Sequence, residues 1–339
     1  MAKKVKDIKE EQNVELSMQD PAEEQKKLEQ SLDLIPLCRE KSEVPFDEAV
    51  ENERKNIFVT YKKTRTENNI IMVISVVLII ASLVIFVQAQ NWGSWCQIVG
   101  GVTLGVVFVF MLVHFLLTKN KFPDTTKKYI RSFMTTIDNF IFDVEDMHDQ
   151  KLYYEKRYVA ADVIADRCYK EVVDIASRNL VSATYKENPF EFGELALYKA
   201  GGKKYQKEVM FVGRYLTIEN KFHFEDRYII RIKGANDTDA PNDLDGLVIL
   251  AEQNNFVVYG PEGANYNKDL GKDLVNNLKS IECVGALLNV NVVFWAGRTA
   301  AYLSYDDSIV AIPFDKPIAP ESYHQLKKNL KDMLEILVD

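Results

Sequence analysis

Apolar and polar positions divide the chain into three stretches with different periods. Residues 1 to 69 are mostly polar, residues 70 to 117 are apolar all round, and beyond them apolar residues recur first every three or four positions and then every second one. The middle stretch comprises Ile70 to Val87 and Ile98 to Leu117, joined by the uncharged Gln88 to Gln97, and contains no Asp, Glu, Lys or Arg. At about 1.5 Å per residue, a run of about 18 residues or more spans a hydrocarbon core of about 30 Å. Ile71, Met72, Val73, Ile74, Val76, Val77, Leu78, Ile79 and Ile80 leave no polar face for water. A cleaved signal peptide starts near residue 1 with an apolar stretch of only about 7 to 15 residues, whereas here 69 residues come first. The pattern therefore predicts a two-helix transmembrane hairpin, with spans 70–87 and 98–117.

Basic residues flank this hairpin on one side only. Arg54, Lys55, Lys62, Lys63 and Arg65 precede it, Lys119, Lys121, Lys127, Lys128 and Arg131 follow it, and the connecting loop has none. Such residues are retained on the cytoplasmic side, which predicts a multi-pass protein of the cell membrane with both termini cytoplasmic. Trp92 and Trp95 in the far loop fit the membrane interface, where amphipathic aromatics concentrate. Gly101 and Gly105 form a G-x-x-x-G that allows close helix approach. With Ser75 and Ser82 as a small face in return, the motif predicts packing inside the hairpin, dimerisation being the alternative. His114 is ionisable and intramembrane, but lies three residues from the span end, within reach of the interface.

The arm at 1–69 reads as partly disordered and partly helical. Asp20, Pro21 and Glu23 supply helix-start chemistry, Pro36 and Pro45 interrupt the pattern, and Asp47 to Asn68 can run as a charged helix into the first span. No independent core is expected before residue 70. After the hairpin, Ile130, Phe133, Ile137, Phe140, Ile141, Val144 and Met147 form one helical face, and Val163, Ile164, Cys168, Val172, Ile175 and Ala176 a second, giving a helical juxtamembrane region at 118–188.

From Pro189 the chain turns to short β-type runs: Glu194 to Tyr198, Glu208 to Glu219, Tyr228 to Lys233, Leu247 to Ala251 and Phe256 to Tyr259. A helix is predicted at Lys268 to Lys279. Two strand pairs follow, Val284 to Asn291 with Val292 to Trp295, and Ala300 to Tyr305 with Ile309 to Phe314, the second turning at Asp306, Asp307 and Ser308. Leu326, Leu330, Met333, Leu334 and Leu337 then make one face of a closing helix whose first turn fits Pro320. Strands joined locally and flanked by helices define an α+β class with a mainly antiparallel sheet at 189–339.

Charge separates by region. The arm carries 13 Lys+Arg against 16 Asp+Glu, and residues 118 to 339 carry 29 against 34. Neither part has the basic excess of a nucleic-acid binder. Cys38, Cys96, Cys168 and Cys283 are scattered, with no zinc spacing. In the acidic loop Asp237 to Gly246, the residues Asp243, Asp245, Gly246 and Glu252 match part of a calcium-loop pattern. Pro241 falls where the first oxygen ligand is required, so the loop reads as solvated. Gly260, Pro261, Glu262, Gly263, Ala264 and Asn265 lack the ending of a phosphate loop, and Glu262 would repel an anion. No hydrolase or metalloprotease motif is present, and no cofactor or metal is expected.

The order of parts, together with Phe190 to Leu195 (FEFGEL), Phe211 to Leu216 (FVGRYL), Glu252 to Tyr259 (EQNNFVVY) and the closing helix after Phe314, resembles uncharacterised bacterial membrane proteins. These have two N-terminal spans and a cytoplasmic domain of unknown function. The resemblance covers roughly residues 60 to 339 and implies architecture and placement without an activity. The expectation is a non-enzymatic, membrane-anchored binding or scaffold protein that contacts the lipid bilayer and a protein partner. The alternatives are a membrane-tethered enzyme with an unrecognised site and a pleckstrin-homology-like lipid sensor.

Overall fold

The computed structural model describes residues 34–36, 44–118, 131, 133–153, 158, 160–202, 206–219, 226–234, 240–295, 297–306 and 317–338. The helix expected near Asp20 and the strand expected at Ile309 to Phe314 lie outside these residues.

Among the described residues, ten strands form one open antiparallel sheet. They are β1 (Leu34–Pro36), β2 (Met147–Tyr153), β3 (Val172–Tyr185), β4 (Asn188–Ala200), β5 (Lys207–Glu219), β6 (Tyr228–Lys233), β7 (Val248–Gln253), β8 (Phe256–Gly260), β9 (Leu287–Trp295) and β10 (Arg298–Tyr305). The order across the sheet is β1-β2-β3-β4-β5-β10-β9-β6-β8-β7. Four of the nine neighbouring pairs, β3–β4, β4–β5, β7–β8 and β9–β10, are hairpins, which pair antiparallel by construction. The β3–β4 turn places Lys186 and Glu187 both at positive φ, the conformation whose twist matches that of the flanking strands.

Each sheet face has its own core. On the first face, Phe190, Phe192, Leu216, Ile230, Val258, Val292 and Leu303 pack beneath helices. These are α1 (Phe46–Trp92), α3 (133–141), α6 (Lys272–Lys279) and α7 (Pro320–Val338). On the second face, Tyr158, Val163, Cys168 and Tyr169 cover Phe211, Tyr215, Ile229, Val293 and Tyr302. Here, among the described residues, the covering segment includes only the short α4 (Ala160–Ala165). As expected, the leucine face of α7 is buried: Leu326, Leu330, Met333, Leu334 and Leu337 all lie in the first core.

Several local expectations are corrected. Region 118–188 contributes β2 and all of β3, and Val172, Ile175 and Ala176 belong to a 14-residue strand, not a helix. Those three residues fit a half-buried pleat as well as a helical face, and a short apolar run does not separate the two periods. Val284 to Trp295 is not a strand pair. Leu287 to Trp295 is one strand, because Asn289 and Asn291 are buried on its second face and mark no turn. The helix expected at Lys268 to Lys279 breaks into α5 (Tyr266–Asp269) and α6, separated at Gly271 with φ +86°.

The arm is not separate from the domain. Leu34, Ile35 and Pro36 pair with Tyr153, Leu152 and Lys151 as the edge strand, and Pro36, which has no backbone N–H, suits an edge position. Val50 and Ile57 of α1 are buried in the first core. Phe46 stacks on Phe140 of α3 at 3.8 Å between ring centroids, with an interplanar angle of 9°. Thr136 donates to Glu53 at 2.6 Å, and His324 of α7 meets Asp47 at 2.8 Å.

From this docked base α1 continues for 47 residues in all, about 70 Å of unbroken helix. Within Phe46–Ile85 it is long and apolar enough to cross a membrane, with a most apolar window of mean hydropathy 2.6 that is 12% buried. By the same measure, the apolar part of the next helix, Ile98–Val113, is shorter. That helix is α2 (Ser94–Thr118), which packs along α1. The ten-residue loop expected between them is absent: Gln88 to Trp92 complete α1, and α2 begins at Ser94. Gly93, at φ +96°, makes the reversal, a conformation glycine adopts without strain.

Candidate functional site

The apolar helices carry all the site residues expected from sequence. Trp95 stands in the first turn of α2, 76% exposed. Trp92 closes α1, and its side chain, like that of His114, lies outside the described residues. The G-x-x-x-G does not make the helix contact. A Cβ at Gly101 or Gly105 would meet nothing within 4 Å, whereas Gly100 and Val107 of α2 and Ser75 and Ser82 of α1 are buried. The seam runs one residue off the motif, because Gly100 and Val107, two turns apart, share a face that Gly101 and Gly105 do not.

The sheet brings together charges that sequence reasoning left apart. The segments FEFGEL and FVGRYL are hydrogen-bonded neighbours in β4 and β5, in a register that pairs Glu194 with Arg214 and, on the other side, Glu194 with Arg178 of β3. All three stand on the helix-bearing face, forming a cross-strand row of cation, carboxylate and cation. The Arg214 side chain is 4% exposed, and its Nη2 lies 3.2 Å from Glu194 Oε1. Arg178 Nε donates to Glu194 Oε2. A bulge between Arg178 and Val181 sets Asn179 at φ +52° and lets its Nδ2 donate to Glu194 Oε1 at 3.1 Å. Asparagine tolerates that left-handed geometry, and a bulge re-aims side chains in this way. Gly213, beside Arg214, is obligatory for the register, because a Cβ there would come 2.0 Å from the Leu303 carbonyl oxygen.

Above this row, Asp138 of α3 is buried, and among the described residues neither carboxylate oxygen has a hydrogen-bond partner. Burial raises the pKa of its carboxyl to about 7, the Arg214 charge pulling the other way and the Glu194 charge reinforcing the rise. A carboxyl enclosed without donors is expected to sit near neutrality in this way.

On the second face, Asp166 forms a separate network. It accepts from the Tyr215 hydroxyl and, at 3.0 Å, from the Tyr302 hydroxyl, and its Oδ1 lies 3.5 Å from Arg298 Nε. Arg298 Nη2 also donates to the Tyr215 oxygen at 2.8 Å, and Tyr158 donates to the Tyr215 carbonyl at 2.8 Å. Burial raises the Asp166 carboxyl to about 6 against the pull of Arg298 and both phenols, and pushes Tyr215 and Tyr302 well up. The phenols therefore remain donors at neutral pH. What the network does physically is fasten the 158–170 segment over β5 and β10.

The acidic loop is tied into this face and is not solvated throughout. Asp243 is buried, 3.5 Å from Arg167 and 3.9 Å from Arg227, while Asn242 accepts from the Lys170 amide at 2.8 Å. The carboxylates of Asp243 and Asp245 are engaged by cations, Asp245 by Lys170 at 3.7 Å, which is a docking role.

No protein-family model matches the chain, and no curated protein matches it. Among solved structures, the chain is similar to a crystal structure of the mycobacterial trehalose monomycolate transport factor A, TtfA. The identity is 12% and the TM-score 0.30, over 55% of this chain and 88% of that one. A score this low carries neither fold nor function across.

Glu194, Arg214 and Asp138 were the residues missed, and each had a signal. In Phe190-Phe192-Glu194 and Val212-Arg214-Leu216 the charge occupies the apolar phase of a two-residue alternation, and Asp138 interrupts the apolar face of α3 between Met134 and Ile141. A charge in a buried phase needs a partner or a purpose.

Proposed function

We propose that this chain is a membrane-anchored binding or scaffold protein. In this reading α1 and α2 form a hairpin in the cell membrane with both termini cytoplasmic, and the α+β domain binds a protein partner near the inner face without catalysing a reaction. The observation that carries the reading is the continuity of α1. Its base is buried in the domain core, while Val73, Val77 and Val84 farther along are exposed. An apolar surface this long is unfavourable in water and favourable in hydrocarbon.

Three further features support it. The 25 residues of α2 include no charge. Ser82 donates to the Leu78 carbonyl and Thr103 to the Val99 carbonyl, each at 2.8 Å, so these hydroxyls are satisfied inside their own helices as a bilayer requires. Between Ile57 and Ile70 the helix is largely exposed and carries Lys62, Lys63 and Arg65, a basic stalk of about 20 Å suited to the cytoplasmic headgroup region. The lipid-sensor alternative implies a closed barrel, and the sheet here is open, with β1 and β7 at its edges.

The test uses the native thiols. An impermeant maleimide applied to sealed cells, with any outer barrier permeabilised, labels Cys96 and not Cys283, which is partly accessible in the domain. Cys168 is buried and silent in either topology, so Cys283 after lysis is the inside reporter and Cys96→Ser the control. Labelling of Cys283 in sealed cells overturns the placement.

A further inference from the structure

Asp138 stands where α3 meets the sheet. With Met134 and Ile141 it forms one stripe of α3, and both of those neighbours are buried in the first core. A carboxylate is almost never buried this fully unless it is paired. Asp138 is 1% exposed, and among the described residues neither of its oxygens receives a hydrogen bond. Arg214 of β5 and Glu194 of β4 act on it, and its own charge reaches Tyr323 of α7. Arg214 is committed to Glu194, with its Nη2 3.2 Å from Glu194 Oε1.

The other side of α3 holds the base of α1. Thr136 and Phe140, each two residues from Asp138, point about 160° away from it around the helix. Thr136 donates to Glu53 at 2.6 Å, and Phe140 stacks on Phe46. The remaining charged and titratable groups on this side are engaged with one another or with the Phe140 ring. Arg54 pairs with Glu51 at 2.6 Å, His324 meets Asp47 at 2.8 Å, and Lys327 stands 4.5 Å from the Phe140 ring centroid.

We propose that Asp138 is a proton-operated latch: as the neutral acid it seats α3 on the sheet and so holds the base of α1, and its ionisation favours an opened state in which α3 lifts and that base is released.

The geometry carries the argument. A neutral carboxyl leaves only undonated oxygens under α3, whereas a carboxylate there is a buried charge without a donor, which is far more costly. Burial places the change of state near neutrality, at about 7. The nine residues of α3 are too few to persist as a helix without tertiary packing, so its seating depends on the surface that Asp138 occupies. Opening is therefore local, and it passes to α1 through Phe140 and Thr136. Once exposed, Asp138 ionises in the ordinary carboxylate range and gives its proton to solvent. The opened state thus becomes more populated as pH rises from about 4, and the rise levels off above about 7. The inference concerns how α1 is held to the domain and stands whether or not that helix crosses a membrane.

The experiment follows amide hydrogen exchange of the full-length chain in a non-ionic detergent, with rates corrected for the intrinsic effect of pH. In the parent protein, the opening that exposes residues 46–57 and 133–141 becomes about 15-fold more populated from about pH 5.5 to pH 7, and about twofold more from there to about pH 8. Both segments are less protected than β9 and β10, and low urea leaves their exchange unchanged, as a local opening requires. Asp138→Asn removes the pH dependence in both segments together. Asp138→Leu, which completes the apolar stripe, does the same. Circular dichroism and melting establish that each variant is folded, and if Asp138→Asn melts early then Asp138→Leu decides alone. A pH dependence that survives the substitution overturns the proposal, as does a response in 133–141 that does not reach 46–57. Exchange of both segments with the protection and urea dependence of β9 and β10 overturns it too, because Asp138 then titrates only when the whole domain unfolds.

Discussion

Two helices of this chain are rich in leucine, isoleucine and valine and meet opposite fates. In α7 the apolar residues fall on one face, and that face is buried against the sheet. In α1, from Ile70 to Val87, they fall on every face. The partner helix α2 covers Ser75 and Ser82, while Met72, Val73, Val76, Val77 and Ile80 remain open. Hydrophobic content alone does not separate the two cases. Angular distribution does, because a sheet covers one stripe of a helix and only a surrounding apolar phase covers the whole circumference.

The sharpest way to break this comparison is to place the same acid on each helix. Leu330→Asp, at a fully buried position of α7, should destabilise the folded domain by about 5 kcal/mol or more, the sum of a lost core leucine and a buried charge. Val77→Asp should leave the domain's melting temperature unchanged while costing about 3 kcal/mol in membrane insertion. Alkaline extraction of membranes and thermal denaturation of the solubilised protein read the two effects separately. Equal effects on melting would mean that the α1 surface is covered by protein.

A smaller effect comes from the buried acid under α3. The Asp138 carboxyl is raised from the ordinary carboxylate range to about 7, so the folded state holds a proton that the unfolded chain has already released. Its contribution is fully present below about pH 4, declines as pH rises towards 7 and is lost above that. Asp138→Asn removes this dependence. Relative to the parent protein, it should therefore gain stability from pH 4 to pH 7, by at most about 4 kcal/mol. Denaturant unfolding at the two pH values measures the difference, and parallel stability curves for variant and parent would show that Asp138 is not neutralised in the fold.

How much of this was legible in the sequence follows from the same distinction. Uniform patterns were readable: the apolar stretch, the closing helix, and strands such as Tyr228 to Lys233. The failures occurred where one pattern admits two structures or where tertiary contact decides. Val172 to Ala176 fits either period, and Asn289 and Asn291 look like turn residues until the second face buries them. The docking of Phe46, Val50 and Ile57 depends on α3 and α7, which lie far away in sequence. The pairing of Glu194 with Arg214 is a matter of strand register, which an isolated segment does not contain. Only the misplaced phase of their charges was visible locally.

The base of α1 offers a milder test of whether this helix and the domain are mechanically joined. Phe46→Ala removes the stack on Phe140 and the edge contacts to Tyr323 and His324. For a partly buried aromatic the loss should be about 2 kcal/mol. Hydrogen exchange should rise through residues 46 to 57 and leave the amides of β9 and β10 protected. Unchanged exchange at the base would show that Val50 and Ile57 hold it without the stack.

The smallest effect is expected at the G-x-x-x-G motif. Gly101 and Gly105 face away from α1, and an added side chain meets nothing there. Gly105→Leu should therefore leave the α1–α2 contact intact and, by removing a helix-interior glycine, shift stability favourably by about 1 kcal/mol or less. Ser82→Leu enlarges a residue on the buried seam and should cost about 1 to 3 kcal/mol by overpacking. Melting of the full-length chain in detergent separates the two, while cross-linking in native membranes asks a second question of Gly105→Leu. If copies of the chain cross-link in the parent and not in this variant, the glycine face is a contact between copies, and the motif has a use outside the hairpin. If the melting order of the two variants is reversed, the seam lies on Gly101 and Gly105 after all, and the face of α1 opposite them, not Ser75 and Ser82, packs against α2.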